Sequence, residues 1–164
     1  MRYAVAIGYP LRLGMGRDRA AQEIERQDCR IVLTPEQALQ WGGLSMWREL
    51  REEEKPAAEA LATLGAAAAG DSAEEVLSAL AQCVPVRQGF CLPAEEGAAV
   101  QLGEEQSLLT WFQERVWLSA DGRHTLGVIL EEMELLWQNE PQEQQELLIE
   151  NILGLASSEL CYFR

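Results

Sequence analysis

The sequence predicts an α+β fold, rich in helix, in which two similar units carrying small antiparallel sheets pack together. Three observations predict it. Gly8-Tyr9-Pro10-Leu11 and Gly89-Phe90-Cys91-Leu92 open two stretches of similar pattern. Leu33, Glu36, Gln37 and Leu39 then match Leu102, Glu105, Gln106 and Leu108 at a constant spacing of 69 residues; an internal repeat is the first thing a fold reading has to absorb. Helix-start signals recur: Thr34-Pro35-Glu36-Gln37 and Ser72-Ala73-Glu74-Glu75 each set a hydroxyl three residues before a side chain able to bond back to the cap. Finally, each half closes with a helix-like run and then a strand-like run, residues 74–77 to 84–86 and residues 145–148 to 161–163.

Along the chain, residues 3–7 read as a buried strand. Residues 11–30 form the one locally basic stretch, with a short helix expected over 19–26, and Cys29–Leu33 is a strand with a β-branched centre. Thr34 caps a helix with Pro35 in its first turn, ending near Gly42-Gly43. Glu52-Glu53-Glu54 is a solvated face or loop. Pro56 starts a second helix that fades by Gly65 or Gly70, and residues 66–69 are a short low-complexity alanine run. Ser72 starts a third helix with Val76, Leu77 and Leu80 at core spacing.

The second half repeats these signals. Residues 84–92 are extended and residues 97–102 form a strand. Residues 104–118 read as a helix carrying Leu108, Leu109, Phe112 and Val116. Asp121-Gly122 is a turn, because this pair tolerates positive φ. Residues 125–138 place Leu126, Ile129, Leu130, Met133, Leu136 and Trp137 on one helical stripe. Asn139-Glu140-Pro141 opens the last helix, and residues 160–163 close as a strand. Each unit thus reads strand, strand, helix, helix, helix, strand, the parts of a winged helix, with units at residues 1–83 and 84–164. The expected core includes Ile31, Leu33, Leu39, Val76, Leu77, Leu80, Leu108, Phe112, Leu126, Ile129, Met133, Leu148 and Ile152.

Composition limits the function. With 48% hydrophobic residues in 164, the chain can bury a core. Its net charge is −14, divided as −4 over residues 1–82 and −10 over residues 83–164. An anionic surface repels phosphate backbones and anionic membranes, so the expected partner is a protein or peptide of basic character, with nucleic acid and membrane disfavoured; a homodimer is compatible with the composition. The four cysteines (Cys29, Cys83, Cys91, Cys161) form no C-x-x-C pair and read as small buried hydrophobes. The first seven residues are too short for an export signal and no apolar run reaches membrane length, so a cytoplasmic setting is expected.

No motif for catalysis, a cofactor or a metal is found. Gly14-Met15-Gly16 lacks the G-K-[ST] of a phosphate loop. His124 beside Asp121 reads as a helix-start cap, and the adjacent glutamate pairs do not face each other on a helix. Each third helix, residues 73–82 and 142–156, offers glutamates and no Lys or Arg, which opposes groove docking. Five tryptophans remain, of which Trp41 and Trp111 sit at nearly equivalent places in the two units; an aromatic patch built from Trp41, Trp111, Trp117 and Trp137 is the candidate partner surface.

The stretch 108–152 resembles the PqqD-like peptide-chaperone domains. The resemblance lies in Val116-Trp117-Leu118, in Asp121-Gly122-Arg123 with Thr125 and Leu126, in Ile129, and in a late helix with Leu148 and Ile152. The first unit lacks the Asp-Gly-x-x-Thr element. The resemblance implies a small winged helix that takes up a peptide as an added strand beside its sheet and against its third helix. The leading expectation is a non-catalytic protein- or peptide-binding module, an adaptor or regulatory subunit. The alternative is a tandem winged-helix DNA-binding regulator using the basic 12–30 segment, with Arg12, Arg17 and Arg19 as well as Arg26 and Arg30.

Overall fold

The structure is a computed structural model that describes every residue except 12–21, 28, 94–96 and 136, and every side chain but those and residues 22 and 93. The first half runs β1 (Tyr3–Ala6), β2 (Tyr9–Leu11), β3 (Gln22–Arg26), β4 (Cys29–Leu33), α1 (Pro35–Gly43), α2 (Lys55–Thr63), β5 (Ala67–Gly70) and α3 (Ala73–Ala81). The second runs β6 (Pro85–Arg87), β7 (Phe90–Pro93), β8 (Ala98–Leu102), β9 (Glu105–Leu109), α4 (Trp111–Ser119), α5 (Leu126–Glu132), a 3-10 turn at Trp137–Asn139, α6 (Gln142–Ser157) and β10 (Cys161–Phe163). All pairings are antiparallel: two three-stranded meanders in the orders β2-β3-β4 and β7-β8-β9, and two ribbons, β1 with β5 and β6 with β10. Helix exceeds strand, about 42% against 28%, so the chain is a helix-rich α+β protein. Among the described residues no helix is long and apolar enough to cross a membrane.

Several sequence expectations are corrected here. Residues 22–26, expected in a helix, form β3, where Ile24 is inward against Ile31. Residues 105–109, also expected in a helix, form β9 because Val100 and Leu109 need a common inward face across the hairpin. The spacing of 69 residues therefore aligns helix α1 with strand β9, and is not a structural correspondence. The alanine run is strand β5, and the helix over 125–138 stops at Glu132, beyond which Glu134 takes a left-handed φ of 59°. Strands precede the helices four at a time in each half, in place of the expected strand, strand, helix, helix, helix, strand.

Helix starts follow the sequence signals. Thr34 accepts from Gln37 N while the Gln37 side chain accepts from Thr34 N, a complete capping box. Ser72 accepts from Glu75 N, but the Glu75 carboxylate turns back to the Asp71 N–H at 2.6 Å, one residue earlier than a box requires.

Two apolar cores lie on either side of the β1–β5 ribbon. Ala4 and Ala67 face the smaller core, with Ile24, Leu33, Leu44, Leu50, Ala58 and Leu61. Tyr3, Val5, Ile7 and Ala68 face the larger core. Alternation along a strand sends neighbouring residues to opposite faces, and the alanines of β5 let both layers approach the ribbon closely. The larger core takes Val76, Leu77 and Leu80 from α3 and continues through Phe112, Val116, Leu126, Leu130, Ile149, Ile152 and Leu155. Helix α3 is thus packed between the β1–β5 ribbon on one side and the second-half helices α5 and α6 on the other. Leu39 and Leu108, expected in the core, are 72% and 76% exposed, Leu39 on the outer side of helix α1 and Leu108 on the face of β9 opposite the buried Leu109.

The halves meet along β2, α3 and β10. Gly8 N–H donates to Phe163 O at 2.9 Å, and Tyr9 lies on Tyr162 with ring centroids 4.0 Å apart. Arg26 donates to Gly65 O at 3.0 Å and to Cys83 Sγ at 3.4 Å. The segment 84–92 has a different place: Val84 and Arg164 exchange both main-chain hydrogen bonds, closing the second half on itself.

Candidate functional site

The tryptophans expected to form one patch are held in three different ways. Trp41, on α1, donates its indole N–H to Ile7 O (3.1 Å) and Ala66 O (2.9 Å). Trp117, on α4, donates to Gln88 O and Leu160 O, both at 3.0 Å. Each indole pins the end of the first strand of its half to the start of the strand paired with it. Trp41 therefore corresponds to Trp117, not to Trp111 as the sequence suggested. Trp137 is buried in the larger core, and its carbonyl accepts from the buried Gln145 amide at 3.1 Å. Only Trp111 is well exposed, at 63%, with the Arg115 guanidinium 5.9 Å from its ring. Trp47 is stacked on Tyr3 at 4.5 Å.

The same geometry recurs around each pinning indole. Gly8 and Gly89 both take positive φ, 103° and 87°. A Cβ on Gly8 would meet Ile24 Cγ2 at 3.2 Å, and one on Gly89 would meet Gln101 O at 2.6 Å. Both strands need a residue without a side chain where they cross into the meander. Thr110 and Gln113 make the same complete capping box as Thr34 and Gln37. Gly65 and Glu159 end α2 and α6 in the left-handed region, φ 77° and 56°.

The outer faces of the two meanders differ. In the second, the register aligns Leu92, Ala99 and Leu108 in one row and Phe90, Gln101 and Gln106 in the next, on the face opposite Val100 and Leu109. Phe90 is 79% exposed and Leu108 76%. They make an uncharged face bounded by β7 and β9, each paired on one side only; the exposed Trp111 starts α4 two residues after β9. In the first meander the matching face carries Glu23, Glu25 and Arg30, and Tyr9 is covered by Tyr162. Sequence reasoning placed Leu108 inside a helix and did not single out Phe90. The signal was present: Phe90 and Leu92 bracket Cys91, so β7 is apolar on both faces.

The basic segment is only partly in view. Arg12, Arg17 and Arg19, and with them Gly14 and Gly16, lie outside the described residues. Arg26 is engaged with Gly65 and Cys83, and Arg30 lies 3.7 Å from Glu23. His124 and Asp121 pair at 2.9 Å in an exposed turn; Asp121 also accepts from the backbone of Arg123 and His124, which lowers its carboxyl below the usual range. Among the described residues no His, Cys, Asp and Glu cluster could hold a metal ion. Cys83 and Cys161 are buried as expected, whereas Cys29 and Cys91 are exposed. Burial pushes the Cys161 thiol up to about 12.

Comparison with known proteins returns no matching family model, no matching curated protein and no matching solved structure.

Proposed function

We propose that the chain is a non-catalytic protein- or peptide-binding module, an adaptor or regulatory subunit of the cytoplasm, built from two copies of one small unit. The recurrence around Trp41 and Trp117 supports the duplication: the same indole pin, the same positive-φ glycine and the same capping box in each half. The observation that carries the binding role is the outward face of Phe90, Leu92 and Leu108. Large exposed apolar side chains gathered on one face, beside strands with unpaired edges, are what an extended polypeptide needs for both side-chain and main-chain contacts. The resemblance of residues 108–152 to PqqD-like peptide chaperones points the same way. A protein partner is preferred to nucleic acid because α3 and α6 carry no Lys or Arg and the net charge is −14.

The test is a peptide-display selection on the full chain, run in parallel on Phe90→Ser/Leu108→Ser. Both side chains are exposed, so the double variant should keep its melting temperature. Extended apolar sequences should be enriched on the natural chain and lost from the variant. Equal enrichment on both would remove this face from the reading.

A further inference from the structure

The two indole pins differ in what lies beside them. Next to Trp117, the Arg87 guanidinium stands 5.2 Å from the ring centroid and donates to Leu118 O at 3.1 Å. Arg87 is two residues before Gly89 and directly before Gln88, whose carbonyl takes the indole hydrogen bond. In the first half that position is Ala6, two residues before Gly8 and directly before Ile7, whose carbonyl takes the Trp41 hydrogen bond. The strand registers agree: Ala6 faces Ala67 and Arg87 faces Cys161, each directly after the second carbonyl that accepts from the indole. Leu118, directly after Trp117, is likewise matched by Gly42, directly after Trp41.

Where the second half has Arg87 and Leu118, the first half therefore has Ala6 and Gly42, and beside them is a cavity of about 200 Å³ bordered by Trp41 and Tyr162. That is several times the ~30 Å³ that one water occupies. Among its described lining residues there is one acidic side chain, Glu159, and no basic one.

We propose that this cleft receives the guanidinium group of an arginine from a partner polypeptide, in the place beside Trp41 that Arg87 fills beside Trp117. The chain itself supplies the template. A planar, weakly hydrated cation stacks on an indole and donates in the ring plane to a carbonyl, and Gly42 O is the acceptor corresponding to Leu118 O. The negative charge of the chain favours a cationic visitor. The site shares no residue with the β7–β9 face, so it stands or falls independently of the peptide-display result.

The experiment follows the tryptophan indole N–H signals of the ¹⁵N-labelled full chain during titration with N-acetyl-arginine methylamide, with the lysine counterpart in parallel. The Trp41 signal should shift saturably while the Trp117 signal stays in place, and the lysine probe should bind about threefold more weakly or worse. Ala6→Arg should abolish the response by filling the cleft from within. Gly42→Leu should keep the response, since Leu118 stands at the matching place beside Arg87; a Cβ built at Gly42 meets nothing within 4 Å, so this variant keeps the fold. No saturable shift at Trp41, equal response to both probes, or a response retained in Ala6→Arg would each overturn the proposal. A shift of the same signal on raising protein concentration without probe would assign the arginine to a second copy and overturn the separate partner.

Discussion

Arg164 reaches Glu25 across the junction of the two halves: its Nη1 donates to Oε1 at 3.1 Å, although the two residues are 139 positions apart in the chain. Both side chains are 31% exposed, so water screens the pair. A double-mutant cycle with Arg164→Met and Glu25→Gln should give a coupling below about 1 kcal/mol that shrinks as salt is added. A larger, salt-insensitive coupling would show that the junction is drier than this geometry implies.

The junction holds chiefly through apolar contact. Val76, Leu77 and Leu80 of α3 belong to the same core as Leu126, Ile149 and Ile152. The full chain should unfold in one transition, and residues 84–164 expressed alone, deprived of α3, should be unfolded or aggregate. A sharp melt of that fragment at the temperature of the full chain would make the halves independent.

Burial separates residues that the sequence treats alike. Leu77 and Ile129 are enclosed (0% and 1% exposed), and replacing either with Ala should cost about 2–5 kcal/mol. Leu39→Ala and Leu108→Ala should be close to neutral, since both side chains are in water. Urea titration of the four variants checks the contrast.

Two glycine substitutions should have opposite signs. Gly89→Ala drives a Cβ to 2.6 Å from Gln101 O at a φ of 87° and should destabilise by more than about 1 kcal/mol. Gly42→Ala, in the last turn of α1 with open space around it, should stabilise by up to about 1 kcal/mol. Thermal melts distinguish these outcomes.

Alkaline pH should weaken the fold through its buried thiols. Burial raises Cys83, against the opposing pull of Arg26, and raises Cys161 to about 12, while an unfolded thiol ionises near ~8.5. The fold favours the neutral form, so this stability is complete below the unfolded value and is lost as pH rises from there toward about 12. Cys161→Ala should flatten the fall of the urea midpoint above pH ~8.5. A thiol reagent should label Cys29 and Cys91 in the folded chain, and Cys83 and Cys161 only on unfolding.

Local signals carried far. Thr34-Pro35-Glu36-Gln37 and Ser72 mark helix starts because capping is settled by side chains within one turn. Val76, Leu77 and Leu80 announce a buried face through their helical spacing alone. Residues 105–109 carry an ambiguous pattern, because Leu108 and Leu109 followed by Phe112 and Val116 also satisfy a helical spacing. Nothing local separates that pattern from a short strand running into a helix; the decision comes from Val100 across the hairpin, which needs Leu109 beside it.

What the sequence by itself determined is the helix-rich α+β class, the caps and most of the helical core, all of which depend on neighbours within a few positions. The tertiary structure alone decided that Trp41 is matched by Trp117, 76 residues away, that α3 is packed between the β1–β5 ribbon and second-half helices, and that Phe90 and Leu108 point outward. The physical reason is range. An indole N–H finds its two carbonyls, and a strand its inward face, only when segments distant in sequence have come together, and no periodicity within one segment encodes which partner will be there.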